Sequence, residues 1–538
     1  MSELDLIIRS NNVYDMVSRQ PRPLSIGVLN GMIIATGNDL PFDAKEVIDL
    51  GDKTIFPGFN DAHCHTVWYG LSLGEIDCNQ LSNLDDLYGA LSAAAASLGE
   101  DDWVLASGFN QSRLGGYPDI DKLNQICGNK PLFIRHTSGH SCIVNDVALE
   151  KAGLVGQSSG LGGAIVFDDN GKFTGLLEEK AQEDIQALFL PRSQSEIVQA
   201  LDRATQNYAA EGITSFTEAG IGGGWIGHSD IEMAAYQSAL AESSLHARAQ
   251  LMPVSDSLHS ISGNKVDSNS FGLDLGIRSG FGGDHLSIGP MKIFIDGSML
   301  ALTSAVTKPF ETGKADNYGY FQAPEQLLTE KILSAAGSGW AVAAHAIGDR
   351  AVELALDSFE QAIAMHGAPP MPHRIEHGGI VSDEQLARSV ALGVRVVSQP
   401  GFLPKLGAQM REAIGSRSQI SNRIKSYLDA GIEVAGSSDR PVANGAPMSV
   451  IQSFVERTDD NGEAFSPSER VDVLTALRCY TVGSAHVTGS WAKKGSLEPG
   501  KLADLVVLET DPASVQTVEI SQIRINMTLL GGIKTFEK

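Results

Sequence analysis

The sequence predicts an α/β fold: a (β/α)8 TIM barrel, with a small β-sandwich built from both chain ends and an inserted α/β subdomain over the barrel mouth. Three observations carry this. Helical stretches alternate with short apolar strands through the middle of the chain, as in βα units on a parallel sheet. Polar residues recur at the C-terminal ends of those strands, where barrel enzymes gather their reactive groups. Both ends of the chain are instead rich in strands and turns. A length of 538 residues also exceeds one ordinary core.

Residues 6–8, 25–28, 32–35 and 47–50 are apolar or alternating, and Asn30-Gly31, Gly37-Asn38 and Gly51-Asp52 punctuate them. The far end repeats the pattern, with a turn at 495–500, a strongly apolar run at 503–508 and strand candidates at 523–529 and 532–534. Residues 1–57 and 485–538 are therefore expected to form one β-sandwich domain beside a barrel spanning 58–484.

Within the barrel segment, residues 195–210 set Ile197, Leu201, Ala204 and Tyr208 at helical spacing before a strand at 212–216. A strand at 291–295 runs into Asp296-Gly297-Ser298. Helices at 325–337, 349–366, 383–392 and 420–430 alternate with strands at 340–345, 374–377, 394–398 and 433–439. Between about 71 and 178 the rhythm breaks, with a helix at 84–98 and strands at 103–106 and 131–134. That stretch reads as an insertion after the first barrel strand, folded as a lid or recognition layer.

The strand ends carry His63 and His65, Lys292, His345, His377 and Asp439. Residues two apart on a strand point to one side, so an extended 62–65 turns both imidazoles the same way and Cys64 the other. Two converging neutral imidazoles suit a borderline divalent ion such as zinc. Plainer readings stand beside this one. His345 and His377 can be hydrogen-bonded packing residues, and Asp439, ahead of Arg440-Pro441, can be a helix N-cap. Lys292 is harder to explain that way. An unpaired ammonium on a buried strand is costly, so either it reaches solvent or its charge is consumed.

A net charge of −25 argues against a nucleic-acid or anionic-membrane partner, because little is present to neutralise phosphates. Five scattered cysteines without a Cys-x-x-Cys pair argue against a disulfide scaffold and fit a reducing cytosol. The start of the chain lacks a basic segment followed by an apolar core, and no apolar run approaches the ~20 residues of a membrane span. A soluble cytoplasmic protein is expected, with a homodimer as the commonest assembly.

Pro57-Gly-Phe-Asn-Asp-Ala-His-Cys-His65, Lys292, His345-Ala-Ile-Gly-Asp349, Arg374-Ile-Glu-His377 and Ser438-Asp-Arg-Pro441, taken in order, resemble the amidohydrolase superfamily, and within it the N-substituted formamide deformylase-like branch. The resemblance extends to both β-rich ends. It implies two divalent ions, zinc first and iron, manganese or cobalt as alternatives. His63 and His65 would hold the more buried ion with Asp439 close by, and His345 and His377 the second. Lys292, carboxylated on its amine, would bridge them, with Glu178, Glu179 or Glu218 as fallback carboxylates. A metal-bound hydroxide would attack, and Asp439 would act as general base and then acid. His140, in the segment 135–141, Trp68 and Tyr69 past the histidine pair, Ser298 and Gln399 are the candidate substrate contacts. The expected reaction is hydrolysis of a C–N bond in a small linear amide, N-substituted formamide or carbamate. Hydrolysis of a cyclic amide or an ester or lactone, deamination of a ring, and a non-catalytic metal-binding role are the alternatives, since this fold serves many chemistries.

Overall fold

The computed structural model describes residues 3–99, 102–137, 139, 141–156, 163–223, 226–264, 266, 270–459 and 461–538, with main chain alone at 163, 179 and 180. The chain divides into two compact units. One comprises Met1–His65, Thr205–Gly222 and Tyr236–Lys538, and the other Thr66–Ala204 and Gly223–Ala235.

The first unit holds eight strand positions in chain order: Phe59–Cys64, Ile213–Ile221, Arg248–Pro253, a split fourth strand Leu286–Ile288 and Met291–Phe294, Val342–Ala346, Arg374–His377, Arg395–Ser398 and Val434–Gly436. The hydrogen-bonded neighbours all run parallel. Two seams close the ring. Val254 bridges to Lys292. Between the eighth and first strands, the Asp439 amide donates to the His63 carbonyl (2.8 Å) and the His65 amide to the Arg440 carbonyl (2.9 Å). The fourth strand is split at Gly289-Pro290, where proline offers no N–H to a ladder. Its first piece pairs with the third strand and its second with the fifth.

Helices cover the strands for legible reasons. Asp349–His366 buries Ala351, Val352, Ala355, Leu356, Phe359 and Ala362, one stripe of a 3.6-residue period. Asp383–Leu392 opens on a capping box of Ser382 and Gln385 and stops at Gly393, whose φ of 67° lies in the left-handed region. Two elements differ from the sequence reading. The helix expected over 420–430 is only Lys425–Asp429. Asn422 takes a left-handed φ of 51°, and Glu469 accepts the amides of Ile424 (3.0 Å) and Ser426 (2.9 Å), which fixes a late start. A further helix, Leu403–Ile414, follows the seventh strand with Pro404 in its first turn, where a missing N–H costs nothing.

The chain ends meet in one eight-stranded sheet. Leu505–Leu508 pairs antiparallel with Thr54–Pro57, and Leu4–Val13 borders Arg22–Leu29 on one edge and both Ala44–Asp49 and Thr54–Pro57 on the other. Its core draws on both ends, including Ile8, Ile26, Ile55, Leu505, Val507 and Leu529. The segment expected from 485 onward begins as helix, Ser484–Val487, and becomes sheet only at Leu505. The sheet is fastened to the third barrel strand by Arg248, which grips Asp504 through two bonds of 2.7 and 2.8 Å, both side chains being buried.

The second unit, wider than the insertion expected at 71–178, is built on a six-stranded mixed sheet. Ile76–Asp77, Val104–Phe109 and Leu132–His136 run parallel, and Ser141–Val144, Phe173–Glu179 and Gly163–Phe167 continue it antiparallel. Leu87, Leu91, Leu123, Leu132 and Ile134 pack one of its cores. Among the described residues no helix is long and apolar enough to cross a membrane.

Candidate metal centre

The first strand delivers its two histidines as alternation requires. His63 and His65 are buried with ring centres 5.5 Å apart, and both turn Nε2 toward Asp439 Oδ1, at 3.4 and 3.1 Å. Cys64 points elsewhere, its thiol donating to the Thr217 carbonyl at 3.6 Å.

What stands behind each ring fixes which nitrogen has the lone pair. His63 Nδ1 meets the carboxylate of Glu376, which Arg374 holds through Nε and through Nη2 at 3.0 Å. Arg374 Nη2 also donates to the Ala62 carbonyl at 2.6 Å, behind the same histidine strand. Burial works against a charge on Glu376, yet Arg374 and His63 hold its carboxyl well below the usual range. It is therefore an anion that accepts the hydrogen bond of Nδ1–H and leaves the lone pair of Nε2 to face an ion. Behind His65, Nδ1 lies 3.9 Å from Glu218 Oε1, and Glu218 Oε2 accepts from the Tyr236 hydroxyl at 2.5 Å. His377 Nδ1 donates to Gln399 Oε1 (2.9 Å), whose amide is oriented by donating to Ser437 Oγ (2.9 Å). His345 is the reverse case, because Nε2 donates to the Gly297 carbonyl (3.1 Å) and Nδ1 becomes its lone-pair nitrogen. Metal-ligating histidines typically have the other ring nitrogen engaged in this way.

The donor atoms converge. One atom each from His63, His377 and Asp439 lies within 4.8 Å of the others, all three residues being buried. The His377 ring centre is 5.0 Å from that of His63 and 4.6 Å from that of His345. Burial lowers the pKa of His65 to about 4 and of His377 to about 3, so both are neutral ligands at neutral pH. Asp439 is also opposed by burial, but the His63 and His65 rings that face it hold it well below an ordinary aspartate. Its φ of 53° and that of His377, 74°, are left-handed at non-glycine residues. Such positions cost of order 1–3 kcal/mol each and cluster at functional sites. Asp61, between the first and eighth strands, accepts from the amides of His63 (3.3 Å) and Ser438 (3.1 Å). Burial outweighs these bonds and raises its pKa to about 6.

Lys292 lies on the second piece of the fourth strand, paired beside Ala343 and bridged to Val254. Its Nζ is buried without a hydrogen-bond partner among the described residues, 4.7 Å from the Phe294 ring centre. Burial brings its pKa down to about 8, while Glu376 and Asp439 pull the other way. A desolvated amine facing acids and lone-pair nitrogens, with three histidines oriented from behind, fits a divalent-ion site rather than a packed core.

The remaining candidates are placed differently. Gln399 is fully buried with its oxygen on His377, so it orients that ring instead of facing an open cavity. Ser298 organises a turn, its amide donating to Thr303 Oγ1 (2.9 Å) and its hydroxyl accepting from the Leu300 amide (3.2 Å). Trp68 and Tyr69 belong to the second unit, on the helix Thr66–Ser72, with Trp68 packed beside Arg135. Glu178 is exposed in that unit, and His140 and the Glu179 side chain lie outside the described residues. Arg374 and Glu376 stood in the Arg374-Ile-Glu-His377 motif without an assigned role, and Tyr236 was not singled out. The one available signal was an Arg and a Glu two apart on a buried strand, where neither charge survives without the other.

A family model described as the amidohydrolase family matches residues 46–535. The chain is 27% identical to protein YtcJ of Bacillus subtilis (strain 168), covering 98% of both. It is 26% identical to an N-substituted formamide deformylase of Arthrobacter pascens, covering 99% of this chain and 98% of that one. Its fold matches the crystal structure of an uncharacterized metal-dependent hydrolase from Pyrococcus horikoshii OT3 with a TM-score of 0.74, at 24% identity, over 95% of this chain and 99% of the other. The chain belongs to the amidohydrolase family.

Proposed function

We propose that this hydrolase cleaves the C–N bond of a linear amide, with N-substituted formamides the first class to test and carbamates next. The observation that carries the reading is the orientation of His63 and His65: both Nε2 atoms face Asp439 Oδ1, and carboxylates stand on the Nδ1 side of both rings. The likeness to an N-substituted formamide deformylase over nearly the whole chain supports the substrate class.

In this reading His63, His65 and Asp439 would hold one divalent ion, and His345 and His377 would hold a second, zinc being the first candidate. Such ions supply Lewis acidity and bring the pKa of a coordinated water toward neutrality. The chain supplies the rest. Asp439, ionised at neutral pH, takes a proton from the attacking water on its carboxylate and returns it to the departing nitrogen. The C–N bond breaks as the C–O bond forms, leaving formate and an amine in the formamide case. Lys292 Nζ, in its neutral form, would add to carbon dioxide with loss of one proton, and the carbamate so formed would offer the ions anionic oxygens in place of a buried amine.

The test is metal analysis of the purified protein with a panel of N-substituted formamides, other amides, lactones and aminated heterocycles. Formate release, with Asp439→Asn keeping its metal and losing about 10²–10⁴-fold in turnover, is expected. Turnover of lactones or heterocycles alone would move the reading to another bond, and metal without any turnover would favour a binding role.

A further inference from the structure

We propose that Arg135, in the second unit, is a receptor for a planar carboxylate. The receptor stands apart from the hydrolytic reading above.

The strand Leu132–His136 places Phe133 and Arg135 on one face. Across the pairing Arg135 meets Cys142, Phe133 meets Val144, and Cys142 in turn meets Leu177. Phe133, Cys142, Val144 and Leu177 are all buried members of one apolar core. A guanidinium therefore ends an otherwise apolar row. Two rings support it: its central carbon is 5.2 Å from the Trp68 ring centre and 5.2 Å from that of Phe133.

No carboxylate among the described side chains forms an ion pair with Arg135, and no hydrogen bond from its guanidinium to a described group is found. Other arginines of this unit are neutralised or committed. Arg192, 5.1 Å from the Phe189 ring, pairs with Glu196 at 3.2 Å, and Arg113 donates to the Asn79 carbonyl at 2.8 Å. Glu75, whose charge acts on Arg135, is bonded to the Ser107 hydroxyl instead. This is notable in a chain with 65 acidic residues against 40 basic ones.

The platform is fixed. Gly139 has a φ of 75°, and a Cβ there would lie 3.1 Å from the Trp68 ring, so the turn closes on the indole as only glycine permits. Gln182 Nε2 holds that turn by donating to the Gly139 carbonyl at 3.2 Å. Arg135 remains partly exposed. Stacking satisfies the faces of a guanidinium but leaves its N–H edge, a fork matched to a planar carboxylate.

Calorimetry on the metal-free protein with benzoate and its uncharged isostere benzamide tests the receptor without turnover. Benzoate is expected to bind at least about tenfold tighter. Arg135→Gln should erase the preference, and Arg135→Lys, which keeps charge but not the fork, should retain part of it. Equal affinity for the two probes in the wild type, or a full preference surviving in a folded Arg135→Gln, overturns the proposal. If Arg135→Gln does not fold, a full preference in Arg135→Lys overturns it. A benzoate preference without amide turnover would sink the hydrolytic reading and leave the receptor standing. Amide turnover with no benzoate preference would do the reverse.

Discussion

Glu376 and His63, 313 residues apart in sequence, are bonded carboxylate to Nδ1 in the barrel interior, and Nε2 on the far side of the same ring lies 3.4 Å from Asp439. The carboxylate thereby selects the tautomer. Glu376→Gln would present an amide that can satisfy Nδ1 only through its oxygen, and it would strip Arg374 of its counter-charge in a fully buried place. Metal affinity should fall about 10–100-fold, and stability by about 3–5 kcal/mol from the stranded guanidinium. Competition for zinc, measured well below the melting temperature, separates the two effects. Unchanged affinity would show that Glu376 serves Arg374 and not the ion.

His377 links the site to pH. Burial keeps its pKa at about 3 in the fold, against 6.5 for an ordinary histidine. The unfolded chain thus binds the extra proton between those values, and stability rises with pH through that window. The contribution is complete above 6.5 and is lost as pH falls toward 3. Between pH 7 and 5 the metal-free wild type should lose about 2 kcal/mol that His377→Gln does not. Denaturant melts of both proteins at the two pH values check it, and parallel losses would refute it.

Lys292 predicts a dependence on carbon dioxide. With its pKa near 8 rather than 10.5, about a tenth of the amine is neutral at pH 7 and able to add carbon dioxide, far more than for an ordinary lysine. Metal uptake by the wild type should be accelerated by bicarbonate and suppressed by its removal. Lys292→Glu supplies a carboxylate directly, so its uptake should be indifferent to bicarbonate. Indifference in both proteins would leave Lys292 as an unmodified amine.

Five of the six residues were legible as polar groups closing apolar runs, while Lys292 was legible as a cation inside one, in Met291–Phe294, and only barrel geometry makes one neighbourhood of them. Glu376 was not, for a physical reason. Strict alternation sets it on the face opposite His377, but the left-handed φ of 74° at His377 breaks alternation and lets both face inward. No glycine there announces the break. The shortened helix Lys425–Asp429 was hidden for a related reason, since its start is fixed by Glu469, 43 residues after Ser426. Gln399 was visible as a strand-end polar group, but nothing in the sequence says whether it faces substrate or His377. The insertion's breadth also escaped, because its return segments, 179–204 and 223–235, share the barrel's helical composition.

Asp296 supports the fourth and fifth strand ends together. Oδ2 accepts from the amides of Ala305 (2.9 Å) and Gly348 (2.8 Å), and Oδ1 from that of Ile347 (3.0 Å). Burial nevertheless raises its pKa to about 7. Three donors surround the two oxygens, so Asp296→Asn must turn its own NH2 toward at least one of them. The oxygen would keep the side with two amides, and the Ile347 amide would be left buried and unpaired, at about 1–3 kcal/mol. Ile347 lies two residues past His345, and Gly297, whose carbonyl fixes the His345 tautomer, adjoins Asp296. The variant should therefore melt earlier and also bind a second equivalent of metal more weakly than the first. Glu cannot rescue it, because Ala305 and Gly348 close around the carboxylate: a Cβ at Gly348 would already lie 1.9 Å from the Ala305 carbonyl oxygen. A variant with normal stability and two equal metal equivalents would place Asp296 outside the support of His345.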